Sequence, residues 1–143
     1  MNCPYCTLPE IQERKIIEND LAFAFLGNMP IVPGHTLVIP KRHVAKHENL
    51  TEEEMRAIED LRVKMLSALA KTFGAKGFNF AWNDEKLAGQ SVPHFHLHIV
   101  PRKEGDVGIY EYEPRKFLYR PGERKNSPEI ELKEISELLS KNL

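Results

Sequence analysis

The chain has 143 residues, 41% of them hydrophobic and 29% charged, which suffices for one compact core and is too little for two full domains. Its 20 basic and 21 acidic side chains leave a formal charge of -1, so no basic excess draws it to nucleic acid. The longest apolar run, Leu21 to Leu26, falls far short of the ~20 residues of a membrane helix, and MNCPYCTLPE has neither the basic start nor the apolar stretch of a signal peptide. A cytoplasmic protein with no membrane partner is expected.

Residues 1–10 read as an irregular segment carrying Cys3-Pro-Tyr-Cys6. One disulfide would hardly staple a domain of this size, and a reducing cytosol opposes it. Redox and metal-binding readings of the pair both stay open. Ile16-Ile17 and Leu21 to Leu26 predict two short strands around a Glu18-Asn19-Asp20 turn. Pro30, Pro33 and Gly34 punctuate the next connection, and His35 to Ile39, stopping at Pro40, predicts a third strand. Thr51 followed by Glu54 is a capping box. Met55, Ile58, Leu61, Met65, Leu69 and Phe73 then recur at helical spacing until Gly74, a stripe that reads as core packing. Gly77 to Asn83 alternates as a strand, 84–91 form a loop, and His94 to Val100 predict a strand ended by Pro101. Residues 103–127 lack a strong period. Residues 128–141 predict an amphipathic helix with Ile130, Leu132, Ile135, Leu138 and Leu139 on its apolar face. This order predicts an α+β fold, with an antiparallel sheet of about five strands, one long helix and a C-terminal helix.

The segment richest in chemistry is Gln90-Ser91-Val92-Pro93-His94-Phe95-His96-Leu97-His98. In a strand, side chains two apart share one face at about 6.5–7 Å. His94, His96 and His98 therefore fall on one side, and Phe95, Leu97 and Ile99 on the other. Three adjacent imidazoles are poor packing material, because each brings nitrogens that need partners. A solvated edge strand, a metal clamp, and a nucleophile flanked by anion-holding neighbours all fit the pattern.

His94-Phe-His96-Leu-His98-Ile-Val100 resembles the signature of the histidine triad (HIT) family, His-φ-His-φ-His-φ-φ with φ apolar. Pro33 to His43 and Leu21 to Leu26 resemble the family's strands before the triad, and the likeness spans roughly residues 1–104. The family implies one HIT domain over 1–143, with an N-terminal zinc-binding segment (1–10), a core (11–104) and a C-terminal extension (105–143). It also implies a homodimer that binds nucleotides and attacks their α-phosphate. By position, His96 would be the nucleophile and His98 would hydrogen-bond a phosphate oxygen or the bridging oxygen. Gln90 and Ser91 would contact phosphates, although Ser91 also reads as a plain turn residue. Asn83 resembles the polar residue before the triad loop and joins the substrate-binding set. Relatives place an Asp or Asn after the second strand to hold ribose. Here that place reads Gly27-Asn28, so Asn28 would act one position late. His35 would back the His96 ring or bond within the core.

For zinc, two ligand sets complete Cys3 and Cys6. His43 and His47 lie one helical turn apart, while zinc-containing relatives use a histidine after the middle strand and the first triad histidine, here His43 and His94. The resemblance favours Cys3, Cys6, His43 and His94, a closed structural site. Pro30 to His35 and Val100 to Asp106 resemble the dinucleoside polyphosphate hydrolase branch, so diadenosine polyphosphates are the expected substrates. Phosphoramidase, nucleotidyltransferase or phosphorylase, and nucleotide-sensing readings are the alternatives. Arg102 and Lys103 would reach distal phosphates or simply end a strand. Tyr110 to Gly122 would cap the second nucleoside or pack on a dimer partner.

Overall fold

A computed structural model describes residues 2–106 and 125–143. The tail Tyr110 to Gly122 lies outside the described residues, as do its suggested capping and dimer-packing roles. Five strands form one antiparallel sheet: β1 (Ile17–Glu18), β2 (Ala22–Leu26), β3 (Thr36–Pro40), β4 (Gly77–Ala81) and β5 (Leu97–Arg102). Their spatial order is β1-β2-β3-β5-β4. The predicted α+β architecture is therefore present.

The long helix α3 (Glu52–Phe73) begins at Thr51, whose side chain accepts from the Glu54 amide while the Glu54 carboxylate accepts from the Thr51 amide. It stops at Gly74, which takes a left-handed conformation at φ 69°. Glu54 also holds Arg42 through Nη2 at 2.7 Å and Nε at 3.1 Å, fastening the chain after β3 to this helix start. The Arg42 guanidinium keeps the Glu54 carboxyl below the ordinary carboxylate range.

Both faces of the sheet are covered. Ala22, Ala24, Leu26, Val38, Leu97 and Ile99 pack against α3 through Ile58, Leu61, Met65 and Leu69. Phe23, Phe25, Leu37 and Ile39 form a second cluster on the opposite face with Ile11 and Tyr5. This double burial explains why the Leu21 to Leu26 segment reads as a continuous apolar run.

Several expectations are corrected. The segment thought irregular contains two short helices, α1 (Pro4–Thr7) and α2 (Pro9–Glu13), each with proline at its start. A 3-10 turn (Lys86–Ala88) interrupts the predicted 84–91 loop. Pro101 does not end β5. Its neighbour Arg102 accepts from Lys76 on the β4 side, so Pro101 turns its donorless nitrogen toward the side where β3 pairing has already stopped at Thr36. The C-terminal helix α4 (Glu129–Lys141) docks through Leu132, Ser136 and Leu139, whereas Ile130 and Leu138 are 70% and 49% exposed. No helix among the described residues is long and apolar enough to cross a membrane.

Candidate active site and metal cluster

The alternation read from the triad segment sets the geometry of the site. Phe95, Leu97 and Ile99 lie in the α3-side core. That orientation turns His94, His96 and His98 to the other face, although β5 proper begins only at Leu97. A 2.6 Å bond from the Phe95 amide to the Val44 carbonyl ties the lead-in to the chain after β3. His98 stands opposite Leu37 of β3 and Ala81 of β4.

Hydrogen bonds fix the protonated nitrogen of each ring, because a carbonyl can only accept and an amide N–H can only donate. His96 Nδ1 lies 2.8 Å from the His94 carbonyl, so it carries the hydrogen and Nε2 carries the lone pair. The Ile31 amide donates to His35 Nδ1 at 3.0 Å, so His35 Nε2 carries that ring's hydrogen. His35 Nε2 donates in turn to His98 Nδ1 at 2.8 Å, which leaves the His98 hydrogen on Nε2. Thus neighbouring rings, 5.0 Å apart, hold opposite characters: a nucleophilic His96 Nε2 and a donating His98 Nε2. Of the two expectations for His35, the bond within the core is the one seen, and its partner is the His98 ring. Burial of His96, 4% exposed, lowers its pKa below the usual 6.5 and keeps the ring neutral at neutral pH.

His96 and His98 open onto a cleft of about 210 Å³. Tyr5, Leu8, Ile11, Phe25 and Leu37 supply its apolar wall, and Asn28, Ser91 and Asn126 add polar groups. The Tyr5 ring meets Phe25 and His96 edge-on, each at 5.4 Å. The one sequence signal for Tyr5 is its place between the two cysteines. Asn28 is held by Arg14, which donates to its Oδ1 and also to Glu129 at 2.6 and 2.7 Å. Arg14 is 2% exposed, and nothing local signalled it, because its partners lie 14 and 115 positions away.

Gln90 and Asn83 are not brought to the cleft wall. The Gln90 amide donates to the Ala45 carbonyl at 2.8 Å and accepts from the Glu85 amide at 3.0 Å, clasping the loop that carries Ser91. Asn83 sits in the connection after β4. Arg102 pairs with Asp106 at 2.9 Å, and Lys103 donates to the Phe73 carbonyl, so both sit at the end of β5 and outside the residues that line the cleft.

Cys3, Cys6, His43 and His94 each offer one ligand atom, all within 4.8 Å of one another. Pro4 starts a single turn in which the Cys6 amide bonds the Cys3 carbonyl, bringing both thiols to one side. Cys3 Sγ and Cys6 Sγ lie 3.5 and 3.4 Å from His94 Nδ1, and Cys6 Sγ lies 3.6 Å from His43 Nδ1. A tetrahedron with standard zinc bond lengths has S···N edges of about 3.5–3.6 Å, so the donors fit that ion. His94 Nε2 donates to the Pro40 carbonyl at 2.8 Å, aiming the Nδ1 lone pair at the thiols. His47 lies outside this cluster, stacked on Trp82 at 4.5 Å. Lost hydration at the sulfur and the Cys3 thiol beside it push the Cys6 thiol up to about 11, even though the residue as a whole is exposed.

Comparison with known proteins agrees with this architecture. A 16.1 kDa HIT-like protein of Mycoplasma pneumoniae is 38% identical over 80% of this chain and 81% of its own. A bis(5'-adenosyl)-triphosphatase of Dictyostelium discoideum is 36% identical over 89% of this chain and 84% of its own. A Zn-bound histidine triad family protein from Mycobacterium smegmatis superposes with a TM-score of 0.75 at 28% identity, covering 99% of this chain and 93% of its own. The HIT domain family matches residues 8–105, which contain the paired histidine characters, most of the cleft lining and two of the four cluster residues, and the chain belongs to that family.

Proposed function

We propose that this chain is a nucleotide hydrolase acting through a nucleotidyl-histidine intermediate, with diadenosine polyphosphates as its substrates. The observation that carries the reading is the pair of opposite ring characters at His96 and His98. Neutral His96 Nε2 attacks the α-phosphorus in line, forming a P–N bond as the P–O bond to the departing polyphosphate breaks. His98 Nε2–H donates to the oxygen on which charge develops. Water then attacks phosphorus, the P–N bond breaks, and the released proton leaves with the products. Asn28 and Ser91 bind substrate from the cleft wall, and the apolar wall holds the base. The triphosphatase relative supports the polyphosphate class.

Cys3, Cys6, His43 and His94 would hold a structural zinc, which supplies a fixed four-point cross-link and no open position. Through the His94 carbonyl that cross-link reaches the His96 ring. A cytoplasmic location suits the pair, because a reducing compartment keeps the thiols free for metal. We assign a homodimer to the β4 side. β4 is a sheet edge, and Met55, Phe80 and Trp82 beside it are 37%, 42% and 43% exposed.

The test is incubation of wild type and His96→Ala with diadenosine tetraphosphate, with and without phosphate, followed by chromatography. AMP plus ATP from the wild type alone is expected. ADP appearing only with phosphate would indicate a phosphorylase, and no turnover would remove the hydrolase reading. Metal analysis tests the zinc: His94→Ala and Cys6→Ser lose it, and His47→Ala keeps it. The reverse pattern overturns the ligand set.

A further inference from the structure

The buried Arg14 builds one end of the cleft out of three segments distant in sequence. Its guanidinium donates to Asn28 Oδ1 on one side and to both Glu129 oxygens on the other. The Asn28 carbonyl accepts from the Ser127 amide at 2.9 Å, and Asn126 lines the cleft beside Asn28. The start of α4 is thereby stitched to the end of β2, and Arg14 is the shared pin. Its Nε has no hydrogen-bond partner among the described residues, so two partners define its place.

This pinning decides what Asn28 can offer a ligand. Arg is a donor with no acceptor, so the oxygen of the Asn28 amide must face it and the NH2 must face away. An unpinned Asn, or an Asp, at a sugar site can accept from hydroxyls. Here one lone pair of that oxygen is taken by Arg14 and the oxygen is turned toward it, so the group left to face the ligand is the donating NH2. The geometry points to Arg14 as a positioning residue that makes Asn28 a hydrogen-bond donor to the sugar oxygens of the bound nucleotide, with Asn126 completing that wall. The inference rests on the nucleotide reading of the cleft. It departs from the sequence expectation, in which Asn28 simply stands one position late for a ribose-holding Asp or Asn.

An Asn28→Asp exchange separates the two roles. Arg14 then lies between two carboxylates, a favourable arrangement, so the fold is retained. The Asp can accept from a sugar hydroxyl and cannot donate to a sugar oxygen. AMP affinity is measured by calorimetry on full-length wild type, Asn28→Asp, Asn28→Ala and Arg14→Lys, with melting curves as the check on folding. A donor role predicts that Asn28→Asp and Asn28→Ala each weaken AMP about five- to tenfold, the effect of one lost hydrogen bond. Arg14→Lys, which cannot fork between Asn28 and Glu129, weakens AMP similarly. In turnover the loss appears in KM, with kcat within about twofold, because the sugar contact is equally made before and during phosphoryl transfer. AMP binding by Asn28→Asp equal to or tighter than wild type overturns the inference, as does a loss confined to kcat. If Arg14→Lys fails to fold, the two Asn28 variants still decide. Wild type that binds AMP yet turns over no polyphosphate removes the hydrolase reading alone. Folded wild type that binds no AMP removes this inference as well.

Discussion

Replacing His35 by phenylalanine keeps an aromatic ring, one atom larger, at a position 2% exposed and removes the hydrogen bonds to the Ile31 amide and to His98 Nδ1. The Ile31 amide lies at a half-buried residue, where water can reach it. His98 Nδ1, on a residue only 8% exposed, loses its donor. One buried unsatisfied acceptor costs about 1–3 kcal/mol, which a urea melt reads as a lower midpoint at unchanged slope. The catalytic consequence is separate. Without the His35 proton on Nδ1, the His98 ring is free to exchange tautomers and to rotate, so Nε2–H is no longer held ready. Lost support behind a working group typically costs 10–100-fold, so kcat on diadenosine tetraphosphate should fall by about that factor with KM little changed. A double-mutant cycle isolates the path. In a His98→Phe background, adding His35→Phe should leave kcat almost unaltered if the effect of His35 runs through His98. Full multiplication of the two effects would refute the reasoning, as would a folded His35→Phe protein with wild-type kcat.

Protonation of His96 removes the attacking lone pair, so log kcat/KM should fall on the acid side below pH 6.5, following a pKa held down by burial. An acid limb centred at or above pH 6.5 would contradict this. The pKa of His94 is lowered too, again by burial, so in metal-free protein the unfolded chain binds more protons than the folded one on the acid side. The histidine contribution to stability is therefore complete above pH 6.5 and is lost as pH falls through the folded-state values, which urea melts of chelated protein across pH 5–8 will show. Gly34 has φ +91°, and a Cβ there would sit 2.9 Å from Phe73 Cδ2 and 3.1 Å from Leu69. Gly34→Ala should cost about 2–4 kcal/mol in a urea melt, and a loss under 1 kcal/mol would show that the turn relaxes easily.

The parts of this molecule that were legible in sequence are those whose information is local. The capping box, the stripe from Ile58 to Leu69 and the alternation of Phe95, Leu97 and Ile99 each occupy a few consecutive turns or residues. The triad motif named the histidines and their side of the strand. It could not reveal which ring His35 supports, because that bond spans 63 positions. The helices of four and five residues near the N-terminus are too short to show a period, although Pro4 and Pro9 mark their starts. The apolar face of α4 was misread by the width of one row. Buried Ser136 is polar, and its hydroxyl bonds the Leu132 carbonyl at 2.6 Å, so it passes into the contact face unseen by hydropathy. Arg102, Lys103 and Gln90 looked available for phosphate because sequence lists donors without their partners.

The two-sidedness of the stretch from His94 to Ile99 has a consequence for how such a site can change. The residues that place the imidazoles are the same residues that close the core, so the histidines cannot loosen without opening the main packing of the domain. An insertion or deletion of a single residue there would drive rings into the core and phenylalanine into the cleft. The reacting groups are thus locked to global stability. Part of the wall around them is not, since beside the core residues Phe25 and Leu37 it is built from the turn between the cysteines, the residues after β2 and the strip leading into α4. Room for a different nucleotide can open at those borrowed walls while the chemistry stays where the core holds it.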